Sequence, residues 1–219
     1  ISLGLVGSEM CIRDRYYAYY PYAAEAVLDG TTVSGLSIPA AQTFAVKSFA
    51  TALSPMATSG SDYTRLGFRS LGTVLKFQIT GQKSVTKLEL TGNNSEALAG
   101  DYTIDFAAES PEMTFTGSQK SIMLTCSEPV ALSDASATEF YFVLPAGIEF
   151  TKGITVKIYT EGAAEPMVKE FTSPLTTRPN KLVTVKAFTH SVPVASVTEA
   201  NQAFSEGASG VTITNTTST

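Results

Sequence analysis

The feature that most constrains the fold is a period of two in hydrophobicity between Phe68 and Phe106. The apolar residues fall into three runs: Leu71, Leu75, Phe77 and Ile79; Leu88 and Leu90; and Tyr102, Ile104 and Phe106. Polar segments containing Gly81 and Gly92 separate the runs and favour tight turns. Because successive side chains of a strand point to opposite faces, the pattern predicts three strands with one buried and one solvated face.

The alternation continues through most of the chain that follows. Further strands are predicted at Ser121–Cys126, Thr138–Pro145, Ile154–Tyr159, Met167–Phe171 and Lys181–Phe188, with a polar loop at Ala107–Thr116. Counted from Leu71, this gives about seven to eight strands in roughly 120 residues, a spacing typical of β-sandwiches. The sequence therefore predicts an all-β fold built as an antiparallel β-sandwich, with residues 67–190 as the complete sandwich domain.

The segment before this sandwich is harder to assign. The tyrosine-rich run Tyr16–Tyr22 is interpreted as an edge strand with alternating core and surface tyrosines, in preference to an aromatic platform for sugar stacking. Thr32–Ile38 predicts a second strand. Between Phe44 and Leu53 the spacing favours a short helix, and the small residues of Thr58–Asp62 favour a linker. Residues 16–66 are therefore predicted to be a truncated N-terminal domain.

Composition excludes several classes of partner. The chain has 219 residues, a formal net charge of −5 and a pI near 4.9, which argue against nucleic acid or an anionic membrane surface. Its apolar runs are shorter than the ~18 residues that a membrane-spanning helix needs. No membrane-spanning segment is predicted.

The first fifteen residues differ from the rest of the chain. Residues 5–15 match the translation of a transposon-end sequencing adapter without a mismatch, so residues 1–15 are interpreted as artefactual and left out of the fold prediction. We therefore expect a gene fragment whose natural start, with any signal peptide, is missing. Excluding Cys11 leaves Cys126 as a lone cysteine, predicted to be a small buried hydrophobic residue outside any disulfide.

The last segment has a different pattern. Thr198–Glu206 is predicted to be an amphipathic helix and Gly210–Asn215 a strand. Residues 191–219 are therefore predicted to be the start of a further module or a tail.

A search for catalytic groups gives no convincing constellation. His190 is the only histidine and is predicted to be a solvated turn residue. Asp101 and Asp105 lie on one strand about 13 Å apart, too far for a pair of glycosidase carboxylates. Gly117–Ser121 lacks the upstream glycine of a phosphate-binding loop. The sequence predicts a protein that is not an enzyme, with no catalytic, cofactor-binding or metal-binding residues and no cofactor.

Several segments together resemble the fimbrillin-like surface proteins of Bacteroidetes. The similar segments are YAYYPY at 17–22, SIPAAQ at 37–42, the strand pair at 71–105 ending in LAGDYTID, FYFVLPAG at 140–147 and TTRPNKLVTV at 176–185. Their order and spacing extend the resemblance over residues 16–190.

This resemblance implies a fold and a function. It implies two sandwich domains of transthyretin-like topology in an exported lipoprotein, at the outer membrane or in a fimbrium. The implied partners are other fimbrial subunits or surface ligands, either protein or glycan, and the implied mode of assembly is β-strand addition. The sequence accordingly predicts a non-catalytic fimbrial subunit, anchor or adhesin.

A second hypothesis starts from residues 191–219. A predicted helix followed by a strand resembles the entry cap of parallel β-helix domains. In this alternative the sandwiches are the stalk of a surface carbohydrate-binding or β-helix polysaccharide-processing protein.

Overall fold

The computed structural model describes residues 15–191, and these residues form 19 strands and no helix. The first ten strands are β1 Tyr16–Tyr20, β2 Val27–Asp29, β3 Thr32–Ile38, β4 Ala41–Ala45, β5 Ser48–Phe49, β6 Met56–Gly60, β7 Arg69–Ser70, β8 Gly72–Thr80, β9 Ser84–Gly92 and β10 Gly100–Asp105. The others are β11 Glu112–Phe115, β12 Ser121–Ala131, β13 Thr138–Pro145, β14 Glu149–Phe150, β15 Ile154–Thr160, β16 Met167–Phe171, β17 Leu175–Thr176, β18 Lys181–Thr184 and β19 Phe188–Thr189. The predicted all-β sandwich class is confirmed.

Two sheets enclose the larger hydrophobic core. The long sheet has the order β16-β15-β9-β12-β4-β5, and the short sheet has the order β13-β8-β18, with β19 also paired to β8. Their inner faces share one buried cluster, in which the ring of Phe77 on β8 lies 6.0 Å from that of Phe171 on β16. Fully burying side chains of this size contributes about 1.5–3 kcal/mol each. The shared core makes this pair of sheets a β-sandwich.

The predicted period of two is present in the central strands. Leu75, Phe77 and Ile79 of β8 are fully buried, and Leu88 and Leu90 of β9 are buried as well. However, β8 and β9 belong to opposite sheets, since β8 pairs with β13 and β9 pairs with β12 and β15. The chain therefore crosses from one sheet of the sandwich to the other between β8 and β9.

A second, smaller core lies beside the sandwich. It is enclosed by the sheets β11-β10-β3-β2 and β1-β6-β7 and includes Tyr19, Leu36, Tyr102, Ile104 and Phe106. Pairing of β3 with β10 and of β4 with β12 joins strands from before and after residue 66. The division of the chain at residue 66 stays a prediction, and it would cut these hydrogen-bonded pairs.

The helix predicted between Phe44 and Leu53 is wrong. The chain forms the β4–β5 hairpin there, in which Phe44 pairs with Phe49. The ring of Phe44 packs 5.2 Å from that of Phe140 on the opposite sheet. This contact with the core favours the strand over the helix. It cannot be predicted from the spacing of neighbouring residues, because Phe140 is distant in sequence.

Two predicted irregular segments are also strands. The predicted linker overlaps β6, where Ala57 is buried in the second core. The predicted polar loop contains β11, which pairs with β10. The helix and strand predicted within residues 192–219, and nearly all of the adapter-like segment 1–15, lie outside the described residues.

The tyrosine-rich run forms β1, an edge strand of its three-stranded sheet. Tyr19 is buried in the second core, whereas the ring of Tyr16 packs edge-on against that of Tyr63 at 5.4 Å. The preferred interpretation of this run, an edge strand with core and surface tyrosines, is confirmed.

Candidate functional site

One lateral end of the sandwich is closed by a side chain. Gln42 of β4 is 2% exposed and reaches across to β13 in the other sheet. Its Nε2 donates to the carbonyl oxygen of Val143 at 2.8 Å, and its Oε1 accepts from the Val143 amide at 3.0 Å. The amide thus satisfies both backbone groups of one β13 residue, as a neighbouring strand would.

The opposite lateral end is open. Among the described strands, β16 pairs only with β15, and β18 pairs only with β8. Between these two edges lies a groove of about 500 Å³ that is lined by Ile154, by residues 169–175 and by residues 183–188. We refer to it as the edge groove.

The floor of the edge groove is aromatic. The rings of Phe171 and Phe188 meet edge-on at 5.7 Å, and Val183 and Val185 pack against the same core. Leu182, by contrast, is 57% exposed on the outer face of β18. The groove therefore combines an apolar floor with two strand edges that have backbone groups available for pairing.

The position of Phe171 is fixed by the turns beside it. Asn93 donates from Nδ2 to the carbonyl oxygens of Lys152 at 2.9 Å and Phe171 at 3.3 Å, and its Oδ1 accepts from the Thr155 hydroxyl at 2.7 Å. Gly153 has φ +80°, and a Cβ at this residue would collide with the Phe171 carbonyl. These contacts set the end of β16 at the mouth of the groove.

His190 is buried, so the prediction of a solvated turn residue is wrong. It is 7% exposed, packs against Gly81, and its Nδ1 has no hydrogen-bond partner within residues 15–191. The cause is β19, whose pairing with the end of β8 draws the following residue under the β8–β9 turn. Burial, and secondarily the charge of Lys83, lower the pKa of His190 below its ordinary value of 6.5.

This burial predicts a pH dependence of stability. Below the ordinary pKa the unfolded chain binds a proton that the folded chain accepts only at lower pH. We therefore expect the free energy of unfolding to fall more in the wild type than in His190→Gln between about pH 7.5 and about pH 5. Urea unfolding of both proteins at each pH measures the difference, and a difference that stays constant would contradict a buried neutral His190.

Cys126 and Asp105, which were also considered as candidate functional residues, have structural roles. Cys126 is buried, as predicted, and burial raises the pKa of its thiol to about 11. Asp105 accepts from the Thr31 hydroxyl at 3.0 Å and the Ala107 amide at 2.8 Å, which fixes a turn. Asp101 is exposed on the same strand.

In the part of the chain that the structure describes, no group of three or more His, Cys, Asp or Glu side chains could hold a metal ion, and no helix is long and apolar enough to cross a bilayer.

Comparisons with known proteins find similarity among solved structures. No family model matches the sequence, and no curated protein matches it. Among solved structures, a candidate cell adhesion protein from Bacteroides uniformis ATCC 8492 is similar, with a TM-score of 0.49 and 15% identity over 80% of this chain and 67% of that one. At this level of similarity the likeness carries no argument about function.

Proposed function

We propose that this chain is a non-catalytic cell-surface protein of adhesion or assembly, and that its edge groove accepts an extended strand from another protein subunit. The observation that carries the proposal is the pair of strand edges, β16 and β18, on either side of an apolar floor. An incoming strand would gain main-chain hydrogen bonds from an edge and place alternate side chains over Phe171 and Phe188.

The chemistry of the described residues agrees with a binding role. The imidazole of His190 and the thiol of Cys126 are both buried, and burial disfavours the charged form of each. Neither group is therefore poised as an exposed base or nucleophile. The finer assignment, an exported fimbrillin-like subunit, anchor or adhesin with fimbrial subunits or surface ligands as partners, is supported by the sequence resemblance over residues 16–190.

A strand peptide tests the proposal. Residues 209–216 of this chain alternate Val211 and Ile213 with threonines, so a rhodamine-labelled peptide of that sequence is a suitable probe. We expect it to bind the wild-type protein in a fluorescence anisotropy titration. Val185→Asp, which places a carboxylate on the groove floor, should weaken binding at least about tenfold, because an unpaired charge would be desolvated there.

The control substitution lies nearby in sequence but outside the lining of the edge groove. Leu182→Asp adds the same charge to the exposed outer face of β18, so binding should stay close to that of wild type. Hydrogen exchange of the wild-type protein gives a second readout: the peptide should protect amides of residues 167–171 or 181–185. Absence of protection at both edges, or equal binding by the two variants, would overturn the edge groove as a strand-binding site.

A further inference from the structure

A second cleft lies under the β4–β5 hairpin, away from the residues that line the edge groove. Two cavities of about 500 Å³ and about 530 Å³ share Ser48, Phe49, Ser54 and Met56 in their walls, so they lie side by side. We refer to the two together as the hairpin cleft. Nothing in the proposed strand addition uses this surface.

The two ends of the hairpin cleft differ in chemistry. One end is formed by Tyr20, Ala52 and Phe68, with Phe49 and Met56 separating it from the other. The hydroxyl of Tyr20 is held by the Ala52 amide at 3.0 Å, which leaves the tyrosine ring along the wall. This end suits an apolar side chain.

The other end is cationic. Its walls contain Lys47 and Lys181 and no aspartate or glutamate, in a chain with 20 acidic and 15 basic residues. Tyr141, also in the wall, donates to Glu139, and that carboxylate is already paired with Lys76 at 3.1 Å. The lysines therefore favour an anionic group on whatever occupies this end.

Strained backbone is concentrated around the same cleft. Four non-glycine residues among those described have positive φ, and three of them line the cleft: Lys47 at 56°, Ala52 at 65° and Asn180 at 56°. Each left-handed residue of this kind costs roughly 1–3 kcal/mol, and such residues cluster at binding sites. Lys47 lies in the turn between β4 and β5, at the tip of the hairpin.

We propose that the hairpin cleft binds a peptide segment of a partner protein that carries an apolar side chain next to a carboxylate. The apolar side chain occupies the Phe49–Phe68 end, and the carboxylate lies at the end with Lys47 and Lys181. A peptide fits better than a fatty acid because Ser48 and Asn180 provide polar groups along the cleft, which peptide amides can use and a hydrocarbon chain cannot.

The test is a titration of the full chain, followed by ¹⁵N NMR, with the blocked peptide Leu-Asp-Phe-Glu. Amide shifts are expected to change at residues 47–56 and 180–182, and the affinity should fall with added salt. The isosteric peptide Leu-Asn-Phe-Gln should bind about fivefold more weakly, as should the variant Lys181→Gln.

A substitution at Lys47 separates binding from stability. Lys47→Gly removes a cation and also relieves the left-handed backbone, so it should unfold at equal or higher urea concentration than wild type while binding the acidic peptide about fivefold more weakly. Lys186→Gln, a lysine of the edge groove, is the matched control and should bind like wild type.

Two outcomes would overturn the inference. One is an absence of shifts at the hairpin cleft, or equal shifts with the acidic and neutral peptides. The other is binding of dodecanoate at these residues without binding of the peptide, which would make the cleft a lipid site. Either result would leave strand addition at the edge groove unaffected, because the two sites share no lining residue.

Discussion

Gln42→Leu is expected to lower the free energy of unfolding by roughly 2–5 kcal/mol, because it leaves both backbone groups of Val143 unsatisfied in the core. Val143 is fully buried, so water cannot replace the lost hydrogen bonds without opening the sandwich. Leucine has about the volume of glutamine, which keeps the loss of packing small beside the loss of hydrogen bonding. Urea unfolding followed by circular dichroism measures the change.

The control for Gln42 is another glutamine in the same protein. Gln82 donates its amide to Asp134 at an exposed position, so Gln82→Leu should change the free energy of unfolding by less than about 0.5 kcal/mol. Comparable effects of the two substitutions would show that the Gln42 amide does not hold β13 to β4. A large effect of Gln42→Leu alone would show that this amide holds β13 to β4 at the closed end of the sandwich.

Gly153→Ala should destabilise the protein by about 3 kcal/mol or more, because the new Cβ would overlap the Phe171 carbonyl in backbone that cannot move independently of β16. The substitution also strains φ, which is +80° at this residue. Relief of the overlap requires the end of β16 to shift, so peptide binding at the edge groove should weaken along with stability. Thermal and urea unfolding measure the first effect, and the anisotropy titration measures the second.

Gly162→Ala separates the two causes. Gly162 has a similar φ of +70° but no atom within 4 Å of a built Cβ. Its replacement should cost only the backbone strain, about 1 kcal/mol. If Gly153→Ala were no worse than Gly162→Ala, the close approach of the Phe171 carbonyl would not constrain the turn.

The strands of the sandwich could be predicted from the sequence because their signal is local. In β8 and β13 large apolar residues recur at every second position over most of the strand, and Phe77, Phe140 and Phe142 of this pattern are buried. Pairing partners could not be predicted, since β8 pairs with β13 and β18, which follow far along the chain. A period of two gives the faces of a strand and says nothing about its neighbours.

The segments predicted wrongly are those whose structure depends on distant contacts. Phe49 and Leu53 have the four-residue spacing of a helix, and the contact of Phe44 with the ring of Phe140 on another strand favours the hairpin. His190 follows a polar threonine and precedes a polar serine, so nothing local indicates its burial. Both residues obtain their surroundings from tertiary packing, which overrides local preference.

The candidate sites were missed for a related reason. The edge groove joins Phe171 to Phe188 across a turn and a change of sheet, and the hairpin cleft joins Lys47 to Lys181. The sequence does contain a signal for the closed end of the sandwich, because the segment SIPAAQ ends in Gln42, the buried amide that binds Val143. Such a polar residue in an apolar strand context is a reason to look for a buried hydrogen-bond partner.

The anchoring role of Asn93 has a consequence for producing the protein. Asn93, Asn94 and Ser95 form an N-glycosylation sequon, and the nitrogen that would carry the sugar is the one that binds the carbonyls of Lys152 and Phe171. A eukaryotic secretory pathway attaches the glycan to the chain as it emerges, before the turn exists. The sugar would then prevent the contacts that position the end of β16, so secretion from such cells calls for Ser95→Ala, whereas bacterial expression needs no change.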